Sequence, residues 1–287
     1  MDAATESYLL LLLSDGNLPT GAFVASSGLE SHTTHALGSA RDPLGSTVAF
    51  VRDSVQTYAR SALPFVRDAH RAVLAYASGV SGAGADADAD GAAILDTLLR
   101  LDALYEANTL NHVARRASCA QGVALLTLYT KGFACPPFLA SVQPEEKREK
   151  ERRVARLVDR LKLLVRGEKT HGHLPVCWGV LVGALGLSLE RGAHLHLFLH
   201  ARGLLSAAIR MNSIGPYAAQ QLLLHAVRPL VDAEAKRTEG LSTGVLREAD
   251  EEEDVFAQGR LGPASTWPLG EIIAARHDQL HSRIFNS

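Results

Sequence analysis

The sequence predicts an all-α fold: a single compact helical bundle domain over residues 1–287, with two mobile loops. Three observations carry this. Leu and Ala dominate a chain that is 47 % hydrophobic, while aromatic residues make up only 6 %, a balance that favours helices over strands. Apolar residues recur every three to four positions through most of the chain. No strand-like alternation, internal repeat or βαβ rhythm is present.

The elements follow in order. An apolar run, Tyr8 to Leu13, leads into Asn17-Leu18-Pro19-Thr20-Gly21-Ala22-Phe23 and then Ser26-Ser27-Gly28-Leu29-Glu30. Pro19 fixes one φ and removes a donor. Gly21 and Gly28 allow dihedrals or approaches that a Cβ forbids. Leu29 and Glu30 read as a helix start, with Ser26 or Ser27 as N-cap. Leu44, Val48, Val51 and Val55 share one helical face. Pro64 suits the first turn of a following helix, capped by Ser61 and striped by Phe65, Ala69, Val73 and Tyr76. Residues 79–91 (GVSGAGADADADG) are low-complexity and read as a loop. Residues 92–129 read as one or two long helices. Gly132 and the prolines up to Pro144 mark a loop. Glu145 and Glu146 then open a helix whose first half is charged and whose second half, from Val154, is apolar on one face. Leu174 to Leu189, Glu190 to Met211 and Tyr217 to Val231 read as three further helices. Residues 232–265 are acidic and Gly-rich and read as a disordered insertion. Pro268 to Phe285 reads as a last helix.

Composition excludes several classes. A formal net charge of −2 gives no general drive toward nucleic acid or anionic membranes. The basic residues of 147–162 are interleaved with acids. Three scattered cysteines, Cys119, Cys135 and Cys177, do not make a disulfide framework and fit a reducing compartment. The run before Ser14 lacks the basic flank and cleavage site of a secretory leader. The longest uncharged run, Leu174 to Leu189, falls short of the roughly eighteen residues a membrane span needs. A cytoplasmic location is expected.

Little in the chain is enzyme-like. His196 and His200 are spaced i,i+4, as metal ligands on a helix can be, and His171 and His173 could join them. No H-E-x-x-H, nucleophile elbow, Walker A or dinucleotide fingerprint occurs. Arg115 and Arg116 are a prominent charged pair, with Glu106 or Asp102 as candidate ion-pair partners. The bland reading of the histidines is hydrogen-bonded polar residues. The sharper reading is a metal-dependent all-α enzyme on His171, His173, His196 and His200.

Four separated blocks nevertheless resemble the urease accessory protein F family. The first is Leu18, Pro19, Gly21, Phe23, Ser26, Gly28, Leu29 and Glu30. The second is Asn111, Arg115, Arg116, Ser118, Gln121 and Gly122. The third joins His173-Leu174-Pro175 to Ala201-Arg202-Gly203, Ser206, Ala207, Arg210, Gly215, Gln220 and Leu223. The fourth, Ala275-Arg276-His277-Asp278-Gln279-Leu280-His281-Ser282-Arg283-Ile284-Phe285-Asn286-Ser287, is similar to an A-R-H-x-x-L-x-S-R-[LI]-F-x-S ending. The chain departs from many members at Ala25 and Pro216.

The resemblance implies a non-catalytic, homodimeric scaffold with no tightly bound cofactor. It implies partnership with urease accessory protein D (also called H), the GTPase accessory protein G and apo-urease, with nickel handled by the complex under GTP control. Leu18, Pro19, Gly21, Phe23, Gly28, Glu30, Arg115, Arg116, Arg202 and Arg210 are then expected on a partner or dimer surface. Arg276, His277, Ser282, Arg283 and Phe285 are expected on a C-terminal segment that is frayed until a partner orders it. Arg and aromatic residues suit such a role.

Overall fold

The computed structural model describes residues 1–287 apart from 36, 40, 80–86, 141–143 and 247–261. The described residues are helical with no strand among them. In chain order they form α1 (Ala3–Leu13), α2 (Leu29–Thr34), α3 (Pro43–Ser78), α4 (Ala87–Asn108), α5 (His112–Leu128), α6 (Pro137–Ala140), α7 (Glu145–Arg166), α8 (Leu174–Ala184), α9 (Leu189–Arg210), α10 (Pro216–Leu222), α11 (Arg228–Arg237) and α12 (Pro268–Ala275).

The axis of the bundle is α3, and it corrects the sequence reading. Two helices separated near Ser61 were expected, yet one 36-residue helix runs through Pro64. A proline inside a helix removes a hydrogen bond and crowds the preceding turn, at a cost of about 3 kcal/mol. Burial offsets that cost here. Val55, Ala59, Ala62, Leu63, Phe65, Val66, Ala69 and Val73 are all fully buried. Each apolar side chain withdrawn from water contributes roughly 1.5–3 kcal/mol. Tertiary packing therefore outweighs the local break.

The main partner of α3 is α8, and glycine sets their separation. A Cβ at Gly179 would lie 2.5 Å from the Val66 carbonyl oxygen, and one at Gly183 would lie 3.1 Å from that of His70. The α8 helix is buried along its whole apolar length, Pro175 to Gly183. Its short uncharged run is thus a central core helix. No described helix is long and apolar enough to cross a membrane.

Other boundaries also differ from expectation. The segment 92–129 divides into α4 and α5 at Asn111, whose side chain caps α5 by accepting from the Val113 and Ala114 amides. Residues 87–91, read as part of a loop, begin α4; residues 80–86 lie outside the described residues. The expected helix 174–189 ends at Ala184, because Gly186 adopts φ 73° and turns the chain. The expected helix 217–231 contains a π turn over Leu223–Val227 and continues as α11 to Arg237.

Residues 232–246 are correspondingly not loose, although 247–261 lie outside the described residues. Two buried charges on α3 hold this stretch. Arg67 donates to the carbonyl oxygens of Thr238 and Ala235. Asp68 accepts from the Thr243 amide at 2.8 Å and its hydroxyl at 2.6 Å. An acidic, Gly-rich composition did not reveal that its partners sit on a distant helix.

The α3–α8 crossing can be tested directly. Gly179→Ala is expected to force the two helices apart and to destabilise the fold by about 1–3 kcal/mol, read as a lower urea midpoint at unchanged slope. Gly203→Ala, whose Cβ would meet nothing within 4 Å, is the control.

Candidate functional site

Three of the predicted residue sets can now be placed, beginning with the chain ends. Gly21 sits at φ 73° and Gly28 at φ 87°, both in the left-handed region that glycine tolerates. Gly28 is also where α12 comes close, since a Cβ there would lie 3.1 Å from Ala274 Cβ. The N-cap of α2 is Gly28, with no side-chain capping bond, rather than Ser26 or Ser27. Ser26 is buried and its amide donates to the Ser287 carbonyl at 2.5 Å.

Glu30 explains why these two ends meet. Its side chain is 4 % exposed and faces His277, which is fully buried. Glu30 Oε2 lies 3.0 Å from His277 Nε2 and accepts the Phe285 amide at 3.2 Å. Oε1 accepts the Ile284 amide at 2.5 Å. A buried carboxylate needs such partners, and the C-terminal segment supplies them. Asn286 N adds a bond to Val24 O at 2.8 Å.

The expectation of a frayed tail, and of a helix extending to Phe285, is therefore corrected. Helix α12 ends at Ala275, a 3₁₀ turn covers Arg276–Gln279, and the rest is an irregular, bent segment whose Ile284 and Phe285 amides bond to Glu30 of α2. Phe285 is 3 % exposed and belongs to the core.

Arginines bind this junction together. The Arg210 guanidinium lies 3.8 Å from the Phe23 ring centre and 4.3 Å from that of Phe285, a double cation–π contact, and donates to the Phe23 carbonyl. Arg116 forms a two-pronged pair with Asp278 at 2.9 and 2.8 Å and reaches Asn286 O at 3.1 Å. Arg283 lies 3.2 Å from the same carboxylate. Arg116 holds the Asp278 carboxyl far below the ordinary carboxylate range, with His277 and His112 adding to the effect. A cavity of about 610 Å³ opens between Arg116, Asp278, Arg283 and Phe285. Phe23 is 64 % exposed, and Ile284, Leu269 and Ile272 also present apolar surface. Pro19, Gly21, Arg276 and Ser282 are exposed, whereas Leu18 packs against the core.

Arg115 and Arg202 do not join the junction. Arg115 pairs with Glu106 at 2.8 Å and donates to the Thr109 and Glu106 carbonyls, closing the C-terminus of α4. Arg202 donates to the Ser14 carbonyl at the end of α1.

The histidines split into two groups, so the four-histidine cluster is not formed. His196 and His200 stack on Tyr58, with ring centres 5.3 and 4.1 Å away. His196 Nε2 lies 2.9 Å from Tyr58 Oη, and His200 Nε2 lies 2.9 Å from Ser54 Oγ. Burial pushes His196 down to about 3 and His200 to about 4, so both are neutral at pH 7.

His171 and His173 lie elsewhere, on the loop between α7 and α8. Asp102 shapes that loop by accepting from the Thr170 hydroxyl and from the amides of His171, Gly172 and His173 at 2.5, 2.7, 2.9 and 2.8 Å. Successive amides converging on one anion form a nest. His173 is buried between Glu106 and Ser118, at 2.8 and 3.2 Å. Helix α5 passes so close that a Cβ at Gly122 would overlap the Gly172 carbonyl oxygen at 2.0 Å. Sequence reasoning missed the roles of Asp102 and Asp278. The signal for Asp102 was present: it is an acid on the same helical face as Leu98 and Tyr105.

Comparison with known proteins bears on both sites. The UreF family model matches residues 45–227, well over half of the chain. The chain belongs to the UreF family. Urease accessory protein 6 of Cryptococcus neoformans var. grubii is 40 % identical over 311 residues, covering 99 % of this chain and 98 % of that protein. An uncharacterized urease accessory protein UreF-like of Schizosaccharomyces pombe is 28 % identical over 286 residues, covering 100 % and 99 %. Urease accessory protein F of Arabidopsis thaliana is 26 % identical over 275 residues, covering 96 % and 90 %. The two terminal blocks of the junction lie outside the span of the UreF model, whereas Arg116 and Arg210 lie within it, and these relatives align with nearly the whole chain.

Two predictions follow from this geometry. Glu30→Ala leaves His277 and two amides buried without their acceptor. It is expected to cost about 3 kcal/mol and to release the tail, so that trypsin cuts after Arg276 and Arg283 before it cuts the bundle. Acid should act through His196 and His200. The unfolded chain takes up their protons near 6.5, while the folded chain does not until about 4 and 3. The unfolded state therefore binds more protons as pH falls. Stability present above 6.5 should be lost on the way to pH 4, at on the order of 1.4 kcal/mol per histidine per unit. His196→Gln should flatten the measured slope.

Proposed function

We propose that this protein is a non-catalytic, homodimeric scaffold of urease maturation. It links urease accessory protein D/H to the GTPase accessory protein G, so that nickel passes into apo-urease under the control of GTP hydrolysis. It works in the cytoplasm, holds no tightly bound cofactor, and engages neither nucleic acid nor membrane.

The observation that carries this reading is the junction of the chain ends. The two terminal blocks of the family resemblance are nearly the full chain apart in sequence, yet they build one surface. That surface has the composition of a binding hot spot: an exposed Phe23 and Ile284 beside Arg116, Arg210 and Arg283. A surface held by a buried carboxylate is pre-organised, which lowers the ordering cost of docking. We assign it to accessory protein D/H.

For the GTPase, recruitment is favoured over an arginine acting in trans on a phosphate. Arg115, Arg116, Arg202 and Arg210 each have intrachain acceptors, and a finger must be free to reach its phosphate.

Light scattering on a sizing column tests the scaffold. The chain alone is expected as a dimer that grows to a defined complex with accessory proteins D/H and G. Removing the tail would also remove core residues, so surface substitutions are the better probe. Phe23→Ala with Ile284→Ala should weaken capture of D/H at least tenfold while costing the fold only the Phe23–Arg210 contact, about 0.5–1 kcal/mol. Unchanged capture by that double variant would exclude the junction as the docking surface.

A further inference from the structure

Glu106, His171 and His173 present a carboxylate oxygen and two imidazole nitrogens that all lie within 4.8 Å of one another. We propose that these residues form an exchangeable site for a divalent first-row transition metal, with water completing the coordination. The site belongs to this chain alone and does not depend on the partners assigned above.

The donor set is the first argument. Two imidazoles and one carboxylate suit zinc, nickel or cobalt, and disfavour magnesium and calcium, which take oxygen ligands.

Spacing is the second. Ligand atoms about 2.0–2.2 Å from a metal sit about 3–3.4 Å from each other. His173 Nε2 and Glu106 Oε2 are already 2.8 Å apart, so they separate by only about half an ångström to admit an ion. The His171 ring lies 5.5 Å from that of His173, centre to centre, at an interplanar angle of 33°. His171 is exposed, and its ligand nitrogen already lies within 4.8 Å of the other two donors.

The surroundings are the third. His173 Nδ1 faces Ser118 Oγ at 3.2 Å, and that hydroxyl already accepts the Leu174 amide at 2.9 Å. A hydroxyl has a second lone pair, so it can also accept an Nδ1 proton. Without metal, Nε2–H donates to Glu106. On binding, the single ring proton moves from Nε2 to Nδ1, Ser118 accepts it, and the Nε2 lone pair turns to the ion. The ring gains and loses no proton overall. Such an outer partner fixes tautomer and ring orientation in metal sites. Arg115 holds the other oxygen of Glu106 at 2.8 Å, leaving Oε2 as a single-point ligand. Asp102 beneath the loop leaves the local balance negative, which favours a cation. The same Asp102 fixes the backbone that carries both histidines.

Position sets the lability. His173 is buried, whereas His171 stands at the rim. One exposed ligand and open water positions give an ion a route in and out.

Titration of the purified full chain with Co²⁺, read by its visible absorption bands, and with Ni²⁺ and Zn²⁺ by calorimetry, tests the site. One ion per chain is expected. His171→Ala should weaken binding tenfold or more with an unchanged far-UV circular dichroism spectrum, and Glu106→Gln should do the same. His281→Ala, which removes an exposed histidine of the tail, should bind as the wild type does. In the wild type, Zn²⁺ should also shift the NMR resonances of His173. Absence of saturable binding would overturn the proposal, as would equal affinity in the wild type and His171→Ala.

Discussion

The close crossing of α3 and α8 is the constraint on which the bundle depends. Gly179 and Gly183 remove the side chains that would hold the two backbones apart. That approach lets α8 bury its whole apolar run against the middle of α3. It also places α3 under enough packing to stay helical through Pro64. Other elements then pack on this pair, with α9 and α4 against α3 and α5 against α8. The neutral His196 of α9 sits between Tyr58 and Trp178. A rigid centre of this kind is what allows both chain ends to be fixed at one edge.

At that edge, the decisive group is one carboxylate. Glu30 lies on a six-residue helix too short to be stable by itself. It is held because the tail completes the hydrogen bonds that its burial demands. The dependence runs both ways, since the tail has no helix of its own beyond Gln279. The exposed aromatic and aliphatic residues of the junction are therefore displayed on a frame, and the arginines around them act as clamps within the chain. Membership of the UreF family gives this surface a context.

Much of this was legible in the sequence. Helical class followed from composition and periodicity, and the amphipathic switch within α7 was visible at Val154. The two terminal blocks, with Arg116 and Arg210 of the inner ones, meet at the junction, whereas Arg115 and Arg202 serve other contacts. What failed was whatever depended on distant partners. Pro64 reads as a boundary because local rules contain no term for the packing of α8. The stretch after Asp232 reads as loose because Arg67 and Asp68, its anchors, lie some 170 positions earlier. The tail reads as frayed because Glu30 is no more remarkable in sequence than any surface glutamate. The four histidines read as one cluster because spacing along a helix says nothing about which helices meet. In each case the missing information was the identity of a hydrogen-bonding or packing partner.

The π turn between α10 and α11 has a consequence for how this region can change. Such a turn accommodates one extra residue without breaking the helix, and each residue in a helix is worth about 100° of rotation. The turn over Leu223–Val227 therefore sets the phase of everything after it. Val227, Val231 and Glu234 share one stripe by regular helical spacing, and the extra residue sets where that stripe points relative to Ala219 of α10. Loss of one residue here would restore a regular helix and rotate the stripe away from the core. Point substitutions in this segment act on packing, whereas length changes act on phase. Sequence length between Pro216 and Arg228 is thus a quantity the fold measures, much as a gear measures teeth.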